Sequence, residues 1–221
     1  MIGFIEQRRE MVNRYKKAGY IQTKKVEDAI IAVPRELFMD PQYSDYAYYD
    51  QPFPIPGDGR QTISAPYMYP VTYEPLRLRP EQRFMEIGAG SGYGAAIARE
   101  LVGPSGFVVA VEINPDTYHF AEKNLKKAGY TDIQLVLGDG TLGYPPRAPY
   151  DAISITASTP QIPPPIIEQM AENGRLVAPV GAASSYGQDL LLVEKIGGQL
   201  NKKSLMRVVY VPLIGKYGYP A

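Results

Sequence analysis

Glu86, Gly88, Gly90, Gly92 and Glu112 are the residues whose types and spacing are best suited to chemistry. The segment Phe84-Met85-Glu86-Ile87-Gly88-Ala89-Gly90-Ser91-Gly92-Tyr93-Gly94 begins as an apolar run and passes through alternating glycines. It then opens into Ala95-Ala96-Ile97-Ala98-Arg99-Glu100-Leu101. That order predicts a buried strand, a tight turn and a helix, which Gly103 and Pro104 stop. Glycines at such a turn reach positive φ and let a ligand approach the backbone closely. A dinucleotide fingerprint needs G-x-G-x-x-G, and Tyr93 stands where the third glycine belongs. Glu86 also opposes the positive potential that a pyrophosphate seeks at a helix N-terminus. Its carboxylate suits a ligand with an ammonium and a sulfonium but no phosphate, as S-adenosylmethionine is. A strand–helix corner without a ligand produces the same glycines, so the loop alone does not decide.

The next strand adds to it. Phe107-Val108-Val109-Ala110-Val111-Glu112-Ile113 is apolar and ends in an acid. Glu112 lies 24 residues after Gly88, near the roughly 20 expected for a ribose-binding carboxylate. A carboxylate there can accept hydrogen bonds from both ribose hydroxyls. Alone it would read as a solvated strand end; with Glu86 and the glycines it reads as part of a nucleoside site.

Composition narrows the class. The 221 residues suffice for one α/β domain, taken as residues 1–221, with helices and a loop over 1–60 and the core over 61–221. Lys+Arg and Asp+Glu balance at 23 each, which argues against a nucleic-acid partner. There is no cysteine and one histidine, His119, so disulfides, a zinc site and a Ser-His triad are hard to build, and no metal is expected. No apolar run reaches membrane-spanning length, and the N-terminus lacks a signal pattern. The expectation is a soluble cytoplasmic protein with no membrane partner.

The elements that must hold these residues follow from periodicity. Residues 4–18 read as a helix ended by Gly19, and Thr23 caps a second that Pro34 ends, together a small helical cap. Residues 40–60 are loop-like; Tyr43, Tyr46, Tyr48 and Tyr49 there read first as packing, with an aromatic substrate wall as the alternative. Ser64 ahead of Pro66 reads, from spacing alone, more readily as a helix cap than as a functional hydroxyl. Asn114-Pro115-Asp116 starts a helix that carries His119, read as a packing or surface residue. Strands are predicted at 133–137, 152–157, 174–181, 190–194 and 208–211, with a helix over 163–170. Asp139 falls at a strand's C-terminal end, as a ligand contact or a turn cap. Strand–helix alternation implies a doubly wound, mostly parallel seven-stranded α/β sheet, with the last two strands added antiparallel.

With these residues placed, the chain closely resembles the protein-L-isoaspartate (D-aspartate) O-methyltransferase family, from about Val26 to Gly218. The resemblance rests on Gln61-Thr62-Ile63-Ser64-Ala65-Pro66, Glu86 through Tyr93, Gly138-Asp139-Gly140, Ala148-Pro149-Tyr150-Asp151-Ala152-Ile153 and Tyr210-Val211-Pro212-Leu213. It implies a class I, Rossmann-like S-adenosylmethionine-dependent enzyme that methylates isoaspartyl-containing proteins and peptides and so repairs aged proteins. By resemblance, Glu86, Gly88, Ala89, Gly90, Ser91 and Gly92 bind the methionine end of the cofactor. Glu112 holds the ribose, Asp139 and Gly140 the adenine, and Ile113 is a further cofactor contact. Ser64 matches the active-site serine; Thr62, Ile63, Pro66, Tyr67, Thr156 and Ala157 line the isoaspartyl pocket. Two departures stand out. Histidine is usual at Tyr67, and Pro70 and Pro75 fall in a helix expected from about Pro66. An interior proline costs about 3 kcal/mol or more, so Pro70 is expected to kink or shorten that helix. A different acceptor, or a non-catalytic module of the same fold, is the rival reading. A dehydrogenase fits poorly. The C-terminal Lys216–Pro220 either covers the site or trails from it.

Overall fold

The computed structural model describes residues 3–182 and 187–220. Helix α1 (Phe4–Lys17) buries Met11, Val12 and Tyr15, and α2 (Lys24–Ala32) buries Val26, Ala29 and Ile30. Thr23 caps α2, its hydroxyl accepting the Val26 N–H at 3.4 Å. Two short 3₁₀ turns lead to strand β1 (Phe53–Pro54), which pairs antiparallel with β2 (Thr62–Ile63). Of the tyrosines ahead of β1, Tyr48 is buried and accepts the Arg8 Nε–H at 2.7 Å, while Tyr46 and Tyr49 pack against each other on the surface.

Helix α3 (Met68–Leu76) settles the expectation about proline. It begins two residues after Pro66, so Pro70 is its third residue, where an N–H would lack an intrahelical acceptor anyway. Pro75 lies in the last turn, Arg77 ends the helix in the left-handed region at φ 51°, and the Pro75 carbonyl accepts the Arg175 Nη1–H at 2.8 Å. The helix is thus shorter at its start than expected, which places Pro70 in its first turn, while Pro75 lies inside it in the last turn.

The sheet then builds by alternation: β3 (Arg83–Ile87), α4 (Tyr93–Val102), β4 (Phe107–Glu112), α5 (Pro115–Lys127), β5 (Gln134–Leu137), β6 (Tyr150–Ile155), α6 (Pro164–Glu168), β7 (Met170–Val180), β8 (Gln188–Ile196) and β9 (Gln199–Val208). Its strand order is β5-β4-β3-β6-β7-β8-β9. The first five strands in that order run parallel; β8 and β9 are antiparallel additions, as expected. The chain leaves β3 toward β4 and β5, then returns to the other side of β3 as β6. That reversal opens a crevice at the carboxyl ends of β3 and β6, where open α/β sheets bind ligands.

Two boundaries differ from expectation. Helix α6 is only five residues long, because Met170 already pairs with Tyr150 before the strand shifts register near Asn173 and Gly174. The last strand is Gln199–Val208, not 208–211. Gly197 and Gly198, at φ 58° and 74°, turn β8 directly into it, as a two-residue hairpin turn requires. No described helix is long and apolar enough to cross a membrane.

Candidate active site

Three cavities meet at the carboxyl ends of β3, β4 and β6. An inner one holds Glu86, the glycine loop, Ser64 and residues of α3 in its walls. An outer cleft is lined by Ser64, Tyr67, Val209 and Tyr210. The third runs past Glu112, Ile113 and Gly140 to Ile214. Thr62 and Thr156 lie in the walls of all three.

The glycine loop leaves β3 with Gly88, Gly90 and Gly92 at φ 89°, 55° and 84°, values that glycine reaches without strain. It is tied down from two sides. Gly88 and Ala89 donate to the Val111 carbonyl at 2.8 and 3.1 Å, and the Asn124 side chain donates to the Ser91 carbonyl at 3.1 Å. Thr156 Oγ1 donates to the Gly88 carbonyl at 2.5 Å, and a Cβ at Gly88 would fall 2.5 Å from that oxygen. Gly88→Ala therefore combines a positive-φ penalty of about 1–3 kcal/mol with a clash against Thr156. It is expected to lower both the melting temperature and cofactor affinity, measured by thermal unfolding and calorimetric titration.

Glu86 is 3% exposed, and its Oε2 has no hydrogen-bond partner. The carboxylate faces the first turn of α4: a Cβ at Gly94 would meet Oε1 at 2.1 Å. Burial pushes its carboxyl up to about 8, against the pull of the Ala95 N–H, and the Glu112 charge adds to the rise. A buried carboxylate oxygen without a donor, in a cavity wall beside a backbone cradle, fits the cationic methionine end of S-adenosylmethionine.

Glu112 closes the loop from β4. It accepts backbone N–H bonds from Gly90, Ile113 and Asn114, each at 3.0 Å. Burial still raises its carboxyl above the ordinary value. Gly140 packs so closely that a Cβ would sit 2.6 Å from Ile87 Cγ2, which brings its backbone into the wall.

The match to known proteins spans nearly the same residues. The family model described as Protein-L-isoaspartate(D-aspartate) O-methyltransferase covers residues 6–218. The chain belongs to this family. Within it, the protein-L-isoaspartate O-methyltransferase of Korarchaeum cryptofilum is 46% identical over 95% of this chain and 97% of its own. That of Methanothrix thermoacetophila is 48% identical over 89% and 91%. A crystal structure described as a putative member from Plasmodium falciparum, in complex with S-adenosyl-L-homocysteine, superposes with a TM-score of 0.83 over 94% of this chain and 98% of that one. At 24% identity it shows the shared fold.

The expected residues of this methyltransferase family member largely converge. Thr62, Ile63, Ser64, Glu86, Gly88, Ala89, Gly90, Ser91 and Thr156 lie in the inner wall, Glu112, Ile113 and Gly140 in the third, and Tyr67 in the outer cleft; Ala157, expected in the isoaspartyl pocket, lines the third cavity beside Glu112 instead. Pro66 is buried and lines none of the three cavities, and Gly92 packs back against Leu125. Asp139 lines none of the three cavities: its carboxylate accepts from Thr141 N and Oγ1 at 2.8 and 2.6 Å and from the Lys216 N–H at 2.8 Å. It thereby ties the C-terminal segment to the turn after β5, and Ile214 lines the third cavity. Lys216–Pro220 itself lines none of the three cavities described.

Ser64 does not cap α3. The cap position is Tyr67, without a side-chain cap bond, and Ser64 lines the inner cavity and the outer cleft. The inner-cavity residues missed as site residues are Met68, Tyr69, Thr72, Tyr73, Gly94, Ser154 and Tyr210. The continuing glycine alternation points to Gly94; Tyr210 stands in the Tyr210-Val211-Pro212-Leu213 motif of the resemblance, but nothing in its spacing places it beside Ser64. His119 is exposed on α5, 3.8 Å from Glu122. Among the described residues no group of three or more His, Cys, Asp or Glu side chains is placed to hold a metal.

Proposed function

We propose that this protein transfers a methyl group from S-adenosylmethionine to the free α-carboxylate of L-isoaspartyl residues in damaged proteins and peptides. The observation that carries the reading is the shared wall: Thr62, Ser64, Met68, Thr156 and Tyr210 line both the Glu86 cavity and the outer cleft. A cofactor held by Glu86 and an acceptor held by Ser64 therefore meet across a few side chains. When bound, the cofactor supplies an electrophilic methyl on a sulfonium.

The chain's residues have three tasks. Glu86 takes the cofactor's positive charge, and the backbone of Gly88–Gly92 admits its methionine end. Glu112 already accepts three N–H bonds and retains about one of a carboxylate's four acceptor sites for a ribose hydroxyl. Gly140 and Ile113 take the adenine side, joined by Ala157 from the third cavity's wall, while Asp139, expected to bind the adenine itself, fixes the segment that carries Ile214. Ser64 donates its hydroxyl to the acceptor carboxylate. An isoaspartyl α-carboxyl titrates at about 3.3–3.7 and is ionised at neutral pH, so the site needs no general base. Tyr67, Thr62 and Ile63 flank the acceptor. The methyl ester then cyclises without the enzyme to a succinimide that reopens in part to normal aspartate.

This reading treats the chain as one catalytic domain, cytoplasmic, with neither nucleic acid nor membrane as partner. The balanced charge of 23 basic and 23 acidic residues supports it. The test is transfer of labelled methyl to one synthetic peptide in isoaspartyl and aspartyl forms. Base-labile label on the isoaspartyl form alone is the expected result. Label on neither form, with the cofactor still bound, overturns it in favour of another acceptor or a binding module.

A further inference from the structure

Arg35 follows Pro34 at the end of the cap and is completely buried, yet among the described residues it forms no ion pair with a carboxylate. An uncompensated buried guanidinium is costly, so what it holds matters. Its Nε–H donates to the Ala47 carbonyl at 2.7 Å and its Nη2–H to the Ser64 carbonyl at 2.8 Å. Its central carbon lies 5.2 and 5.7 Å from the ring centroids of Tyr93 and Tyr69. Those two rings meet edge to face at 4.6 Å, so the guanidinium plane is confined from the side as well as anchored at two nitrogens. Ala47 is buried among the cap residues. Ser64 stands in the wall that the two catalytic cavities share.

We propose that Arg35 is a positioning residue for the methyl acceptor: from behind the site it fixes Ser64 by its backbone carbonyl and so sets where the serine hydroxyl points. The planar fork is what allows one side chain to hold both carbonyls, which a lysine ammonium on a flexible stem does not reproduce. The inference rests on the isoaspartyl reading above for its effect on catalysis, but not for its effect on the loop.

The test uses the full chain with Arg35→Lys, and Arg35→Gln in case the first variant does not fold. Each is assayed well below its own melting midpoint and also combined with Ser64→Ala. Amide exchange over residues 62–67 is expected to quicken while the rest of the sheet keeps its protection. Affinity for S-adenosylmethionine should stay within about twofold. For the isoaspartyl peptide, kcat/KM should fall roughly ten- to hundred-fold, the scale of a small misplacement in a reacting pair. In the Ser64→Ala background Arg35→Lys should add almost nothing, since both act through one hydroxyl. Unchanged exchange over 62–67 overturns the proposal, as do losses from Arg35 and Ser64 that simply multiply. If the wild-type protein leaves isoaspartyl peptide unlabelled, the function proposed above fails, and the exchange measurement still decides the role of Arg35.

Discussion

Affinity for S-adenosylmethionine is expected to rise steeply between pH 6 and pH 8 and then level off, and Glu86→Gln should abolish the rise. Glu86 is buried, its Oε2 lacks a donor, and burial pushes its carboxyl from an ordinary 4.5 up to about 8. At pH 6 the free protein therefore carries this group mainly protonated. A cation placed against it pairs only with the ionised form, so binding releases a proton. Affinity then gains about tenfold per pH unit below 8, and roughly a hundredfold from pH 6 to the plateau. At the plateau Glu86→Gln should bind roughly ten- to hundred-fold more weakly, since a hydrogen bond to a charged group is worth about 1.5–3 kcal/mol. Titration calorimetry in buffers of different ionisation enthalpy reads the released proton directly. An affinity flat across this range in the wild type would show that Glu86 is already ionised in the free protein.

Stability of the free protein should move the opposite way. The folded state holds the Glu86 proton more tightly than the unfolded chain does. This contribution is fully present below the ordinary 4.5 and is lost as pH rises through about 8. Glu112, also raised by burial, contributes with the same sign. Denaturant titrations of wild type and Glu86→Gln at several pH values should show the wild type losing stability on going alkaline, with a flatter profile in the variant. The same carboxylate thus weakens the empty fold at the pH where it best receives a cation.

How far each part of the site can be read in the sequence depends on how local its chemistry is. The loop from Glu86 to Gly94, and Glu112 one strand later, are legible because a positive-φ turn and a strand-end acid leave residue types at short, fixed spacing. Strand β9 is not. It is an edge strand carrying Lys202, Lys203, Ser204 and Arg207, the polar character that discourages edge-to-edge pairing and erases the apolar alternation a strand is recognised by. Its marker is the Gly197-Gly198 turn. Arg35 is hidden for a different reason: an arginine beside a helix-ending proline reads as surface, and its burial depends on two tyrosines and two carbonyls brought from elsewhere. Tyr210 reaches Ser64 only because β8 and β9 fold back across the sheet. Ser64 itself is ambiguous locally, since a hydroxyl ahead of a proline suits a helix cap. What removes the ambiguity is the start of α3 at Met68, which leaves the serine free of any capping bond.

That freedom sets the expectation for Ser64→Ala. Ser64 lies in the wall between the Glu86 cavity and the outer cleft, and the acceptor proposed for it is already an anion at neutral pH. Serine therefore has no proton to remove, and no covalent intermediate is needed. In the function proposed above its work is to hold a carboxylate oxygen in line with the methyl and sulfur, a share of the roughly 7–11 kcal/mol that positioning can supply. One hydrogen bond to a charged group contributes about 1.5–3 kcal/mol of that, so kcat should fall roughly ten- to hundred-fold, with cofactor affinity unchanged. A nucleophile would leave almost no activity on removal; a positioning donor leaves a measurable remainder. Tyr210 sharpens the distinction. Burial pushes its hydroxyl up, with the Ser64 side chain pulling the other way, so it stays protonated at neutral pH and keeps a proton to donate beside the missing serine. Steady-state rates at saturating cofactor should accordingly stay flat from pH 6 to 9 in both wild type and Ser64→Ala, because the acceptor is ionised throughout and Glu86 acts on cofactor affinity. A pH-dependent kcat that vanishes in Ser64→Ala would instead make the serine a participant in proton transfer, and the positioning account of this site would fall with it.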